Sequence, residues 1–271
     1  MVERGPLTGA SARQDKLSSR TMAWRALFVV PAAAVCLWGV SVTGIAASQA
    51  RAHPELAHAT WPLDARAAAG QARAMLLRAP KPETLSAARE LAISALRRDP
   101  TVLATYNVLG LAADISGQRA NAERIFRYAH RLSRRDLATE LWLIEAGVAR
   151  NDVPGVLDHF DAAMSSSTGG WDTLSPILLG ALDDPQLVIP IAGLAARNRW
   201  WNPAFQLRVA DEAPSLAGAT RFFLQLHADG IPSDPYALQL LATRLVAGGR
   251  LCEARALDAL IEKKSQQGDV R

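Results

Sequence analysis

Aromatic residues are scarce in this chain, at 6% of 271 residues, and long β-branched runs are few. Ala, Leu and Arg dominate instead, a composition that favours helices over sheets. Only two cysteines occur, Cys36 inside an apolar segment and Cys252 near the end, so a disulfide framework is excluded. Cys36 lacks the Leu and small residue that precede a lipid-modified cysteine, and nothing beside Cys252 would activate its thiol. G-x-S-x-G, P-loop and G-x-G-x-x-G motifs are also missing. The histidines, His53, His58, His130, His159 and His227, show no HExxH-type spacing, and His53 and His58 flank Glu55 in a stretch that reads as a loop. The pair Asp183-Asp184 before Pro185 reads as a turn and helix cap rather than an acid–base pair, and Ser165–Gly170 as a connection or cap. No catalytic residue, metal ligand or cofactor is therefore expected, and the chain reads as a non-enzyme.

A net charge of +4 would point to nucleic acid if it were spread over the chain. It is not. Arg4, Arg13, Lys16, Arg20, Arg25 and Arg51 against Glu3 and Asp15 account for all of it, and the rest of the chain is balanced. A neutral body offers no footprint for a polyanion, so nucleic acid is not an expected partner.

What is present, first, is an uncharged run of 25 residues from Ala26 to Ala50. About 20 apolar residues in a helix cross a hydrocarbon core. Trp24 and Arg25 stand at its edge, where an amphipathic ring and a cation belong. The basic residues precede the run, which places the N-terminus in the cytoplasm and the body across the membrane. Ser48-Gln49-Ala50 would suit cleavage of a signal peptide, but the run and its leader are long for one, which favours retention as an anchor. The composition and leader look bacterial, so the expected location is the inner membrane, single-pass, with a periplasmic body.

Second, the body repeats itself. A shift of 34 residues aligns Ala88, Ala122 and Val156; Ala95, Ala129 and Ala163; Phe126 and Phe160; Leu109 and Leu143; and Gly117 and Asn151. Over Tyr106 to Ala129, the residues Tyr106, Leu109, Gly110, Gly117, Ala122, Phe126 and Ala129 fall at the spacings of a tetratricopeptide repeat, which this stretch resembles. Asp99-Pro100 closes the weaker unit before it. The unit after it has Glu140 where a bulky residue is expected, and Leu241, Ala242, Gly249 and Ala254 repeat the form once more. Residues 166–234 hold helix-like runs without a readable repeat signature.

The resemblance implies an all-α, tetratricopeptide-like α-solenoid of antiparallel helix pairs, preceded by a single N-terminal transmembrane helix. The expected organisation is a basic cytoplasmic tail (1–25), a transmembrane signal-anchor (26–50), a linker (51–65), repeats (66–165), divergent helical repeats (166–264) and a polar tail (265–271). In this pattern Gly110 and Ala122 let the two helices of one unit approach closely. Proteins of this family bind partners in the groove lined by the first helix of each unit, which carries over to Asn107, Leu111 and Asp114, with Leu141 and Glu145 from the next unit. The second helices face outward, so Arg119, Arg124, Arg127, Arg131, Arg134 and Arg135 read first as a solvated face and second as a contact for anionic lipid, polysaccharide or an acidic protein.

The function expected is a periplasmic scaffold or assembly factor that binds other proteins, similar in layout to repeat proteins of cell-envelope, exopolysaccharide or cytochrome-maturation machinery. One alternative is a carbohydrate- or polymer-binding module with Trp171, Trp200 and Trp201 as stacking platforms, although Trp200 and Trp201 read more readily as a core plug at a helix junction. The other is an enzyme with an unrecognised site in 166–234.

Overall fold

The computed structural model describes residues 53–197 and 200–258. The expected tail and anchor (1–50), the first residues of the linker and the polar tail lie outside them. No helix among the described residues is long and apolar enough to cross a membrane.

Within this span the protein is all-helical, with no strand among the described residues. Twelve helices follow one another: α1 Pro54–Thr60, α2 Ala65–Arg78, α3 Pro82–Arg98, α4 Leu103–Ile115, α5 Arg119–Leu132, α6 Leu137–Val148, α7 Val153–Ser166, α8 Thr168–Ala181, α9 Pro185–Arg197, α10 Asn202–Glu212, α11 Leu216–Ala228 and α12 Pro235–Ala247. A further helical segment begins at 251. The chain divides into two compact units, with the boundary between Val108 and Leu109 inside α4.

Local chemistry sets the starts of these helices. The side chains of Asp64, Asp136, Asp152, Ser167, Ser215 and Asp234 each accept a hydrogen bond from a backbone N–H of the first turn. Asp184 does the same for Gln186, at 2.8 Å. Each such bond satisfies a donor that the helix cannot satisfy itself, typically worth about 1 kcal/mol. Prolines at the first positions of α1, α3, α7, α10 and α12 add to this, because their fixed φ suits a helix start and the missing N–H is no loss there. That is also why Pro54–Thr60 is a helix rather than loop. Ala57 on it is fully buried, and α1 packs on α2. His58 is consequently not a solvated loop residue: burial, and secondarily the Arg98 charge, hold its imidazole below the ordinary histidine range.

The first unit is held by small residues. Ala65, Ala68, Ala69, Ala95 and Val102 form one buried cluster, which lets α2 and α3 pack closely. In the second unit the same economy operates at one end only. There Ala113, Ala122, Phe126, Trp142, Leu143 and Ala146 cluster, with Phe126 and Trp142 stacked at 4.5 Å and 17°. At Gly110 the close approach is to Phe126: a Cβ on Gly110 would stand 2.5 Å from the ring. Ala122 is itself fully buried. The turns that end α4 and α6 each contain a left-handed residue, Gly117 (φ 75°) and Asn151 (φ 56°), the two positions that a 34-residue shift superimposes.

The largest core lies where no repeat is readable. Trp201, Phe205, Phe222 and Phe223 form a chain of edge-to-face contacts at 5.5, 5.7 and 5.5 Å, surrounded by aliphatic residues of α7 to α12. In this part helices contact both their neighbour and the next but one: α7 meets α8 and α9, α9 meets α10 and α11, and α10 meets α12. The Gly169-Gly170 pair does not break the chain but enters the first turn of α8 behind the Ser167 cap.

A buried carboxylate between two histidines

Helices α5, α6 and α7 of the second unit each contribute one side chain to a cluster that no linear motif announces. α5 is strongly amphipathic. It buries Ala122, Phe126 and Ala129 along one face and turns its arginines to the other, with His130 in the last turn at the edge between them. α6 begins at Asp136, which accepts from the Thr139 backbone N–H at 3.0 Å and from the Thr139 hydroxyl at 2.6 Å. This cap fixes the first turn and points Glu140 inward, where its side chain is 0% exposed. His159 comes from the middle of α7.

Glu140 Oε1 lies 2.6 Å from His130 Nδ1, and Oε2 lies 2.7 Å from His159 Nδ1. Each histidine thus donates from Nδ1 to a separate carboxylate oxygen, and the rings meet edge to face at 4.9 Å. A carboxylate removed from water costs several kcal/mol unless it is paired or hydrogen-bonded. Here both oxygens are served. The position in the first turn of α6 also sets the negative charge at the positive end of the helix dipole. Glu140 therefore fills the site of an expected bulky residue with each carboxylate oxygen hydrogen-bonded to a ring.

The histidines form the floor of an open cleft of about 830 Å³. Arg127, Arg131, Arg134 and Arg135 line one side, Asp158 and Asp161 of α7 the other, and Trp200 one edge. Arg127 is partly neutralised by Glu123 at 2.6 Å, and Asp158 pairs with Arg197 at 3.4 Å. Asp161 is occupied by Trp201 Nε1 at 3.1 Å and the Ser165 hydroxyl at 3.2 Å. Arg131 lies over the Tyr128 ring at 5.5 Å. Arg131, Arg134 and Arg135 form no ion pair with any described residue. The cleft is therefore basic on its α5 side.

The residues expected to line a groove are elsewhere. Asn107, in the first unit, is 4% exposed, which leaves little of it for a partner to touch. In the second unit Asp114 accepts from Trp142 Nε1 at 3.0 Å and stands 3.6 Å from Arg119, and Glu145 lies 3.5 Å from the same arginine. Arg119 also covers the Trp142 ring at 5.5 Å, so it belongs to this network and not to the basic cleft. Leu111 and Leu141 are half-buried against the two cores of this unit. Of the tryptophans proposed as stacking platforms, Trp201 is a core residue at 5% exposure and Trp171 packs beside it, whereas Trp200 is 87% exposed. Trp200 is thus not part of the core plug.

No metal-type spacing is readable around these histidines, since His130 and His159 stand ten residues before and nineteen after Glu140 in the chain. The one local sign was a glutamate at a position where the repeat expects a bulky residue. No protein-family model matches the chain, and no curated protein matches it.

Proposed function

We propose that this protein is a non-enzymatic, membrane-anchored scaffold of the tetratricopeptide type, its repeats forming an α-solenoid in the periplasm, and that it docks an acidic segment of a partner protein in the basic cleft between α5 and α7. The observation that carries the docking site is the juxtaposition of Arg131, Arg134 and Arg135, without acidic partners, along a cleft floored by two histidines. Three adjacent arginines in no ion pair, with Asp158 and Asp161 already bonded to other residues, favour a ligand that brings carboxylates, by attraction that salt weakens. Support for the repeat comes from the left-handed residues at Gly117 and Asn151 and from buried small and aromatic residues that share a 34-residue spacing, Ala88 with Ala122, Phe126 with Phe160, and Ala95 with Ala129 and Ala163. The anchor rests on the uncharged run Ala26–Ala50 and the basic leader before it. A pathway in cell-envelope or exopolysaccharide assembly is consistent with that layout.

A labelled glutamate-rich peptide tests the docking site. Its affinity should fall by about tenfold or more in the Arg131→Glu/Arg135→Glu variant and should weaken as salt is raised, because reversing two rim charges costs at least a kcal/mol or so of attraction. Unchanged affinity in that variant, together with loss on Leu111→Glu/Leu141→Glu, would move the site to the first-helix face. Trp200 gives a second reading some footing, since an exposed indole on the cleft edge suits a sugar ring. Binding of an anionic oligosaccharide that is abolished by Trp200→Ala, with no peptide binding, would select it.

A further inference from the structure

We propose that His130, Glu140 and His159 form a binding site for one divalent transition-metal ion, with zinc the best match. One ligand atom from each of the three residues lies within 4.8 Å of the others. Zinc takes nitrogen and oxygen donors at roughly 2.0–2.2 Å in a tetrahedron, so its donors stand about 3.4 Å apart. A separation near the 4.8 Å bound has to close by about 1.4 Å, while the short histidine–carboxylate contacts at 2.6 and 2.7 Å open.

Three features set this cluster apart from ordinary buried polar contacts. The carboxylate is completely withdrawn from solvent, and its first turn is fixed by the Asp136 cap, so one ligand is preorganised at no further cost in side-chain freedom. Each ligand comes from a different helix, α5, α6 and α7, so metal binding and the packing of these helices stabilise each other. The histidine side chains are 21% and 22% exposed, at the floor of an open cleft, which gives an ion access and leaves a fourth position to water. With two neutral imidazoles, the proton on each coordinating Nδ1 moves to Nε2, and none is gained or lost. Imidazole with a single carboxylate suits zinc, copper, nickel and cobalt, and is a poor set for calcium or magnesium. The arginines on the α5 side oppose a cation, which sets the expected affinity at the micromolar rather than the picomolar level.

The site does not depend on what docks in the cleft. The test uses the full chain, purified in mild detergent without a histidine tag and stripped with chelator, titrated with zinc chloride alone by calorimetry. The expected result is one ion per chain, with affinity at least tenfold weaker in His130→Asn and in His159→Asn, and zinc raising the thermal midpoint of the wild type only. Retention of affinity in both variants, or no saturable binding, overturns the site. The zinc-edge X-ray absorption spectrum of the wild type needs no variant: scattering from two imidazoles is expected, and a spectrum without histidine refutes the assignment even if the variants fail to fold.

Discussion

Replacing Gly110 with alanine sets two effects of opposite sign against each other. Alanine is favoured over glycine inside a helix by about 1 kcal/mol, so on an isolated α4 the substitution would stabilise. In the folded second unit the new methyl group would stand 2.5, 2.8 and 2.9 Å from three atoms of the Phe126 ring. The ring cannot swing away cheaply. It is 1% exposed and stacked on Trp142, whose indole N–H is tied to Asp114 and whose face is covered by Arg119. Relieving the overlap needs the α4–α5 spacing or the ring to shift by more than half an ångström, and overpacking of that kind costs about 1–3 kcal/mol. The packing cost exceeds the propensity gain, leaving a net loss of about 1–2 kcal/mol. Urea unfolding followed by circular dichroism should place the midpoint of Gly110→Ala about 0.5 M or so below wild type. The Gly110→Ala/Phe126→Leu double variant should lose less than the sum of the single variants, since a smaller side chain at 126 vacates the space the methyl enters. A midpoint at or above wild type for Gly110→Ala, or strict additivity in the double variant, would refute the close approach.

Ala122→Leu, at a fully buried position, should destabilise by about 1–3 kcal/mol in the same assay, whereas Arg124→Leu, on the exposed face of α5, should change stability by less than about 0.5 kcal/mol. Equal losses would count against the register of α5. His58 should titrate below the ordinary histidine value in an NMR experiment, because burial disfavours its charged form. The unfolded chain then binds the proton more readily, so His58 lowers the stability of the first unit as pH falls below about 6.5, and His58→Phe should flatten that dependence. A reporter active only in the periplasm should be active when fused after Arg271, and activity confined to the cytoplasm would reverse the proposed topology.

Much of the helical framework was legible in the amino-acid sequence, because the signals that start and stop helices act over a few residues. Asp184 before Pro185, Asp99 before Pro100 and the glycine or asparagine at 117 and 151 work through their own backbone and its nearest neighbours, and they keep their meaning in any fold. Composition likewise determined that the described body is helical. The side-chain partnerships were decided elsewhere. Trp200 and Trp201 are adjacent and chemically identical, yet one is solvent-exposed and the other is a core residue bonded to Asp161 from a helix forty positions earlier. Arg119 and Arg131 look alike on α5, but one closes on Asp114 and Glu145 while the other faces the cleft. His130, Glu140 and His159 meet only because α5, α6 and α7 pack side by side. Which face of each helix turns inward is set by the summed burial of all its neighbours, a quantity that no short window of sequence contains.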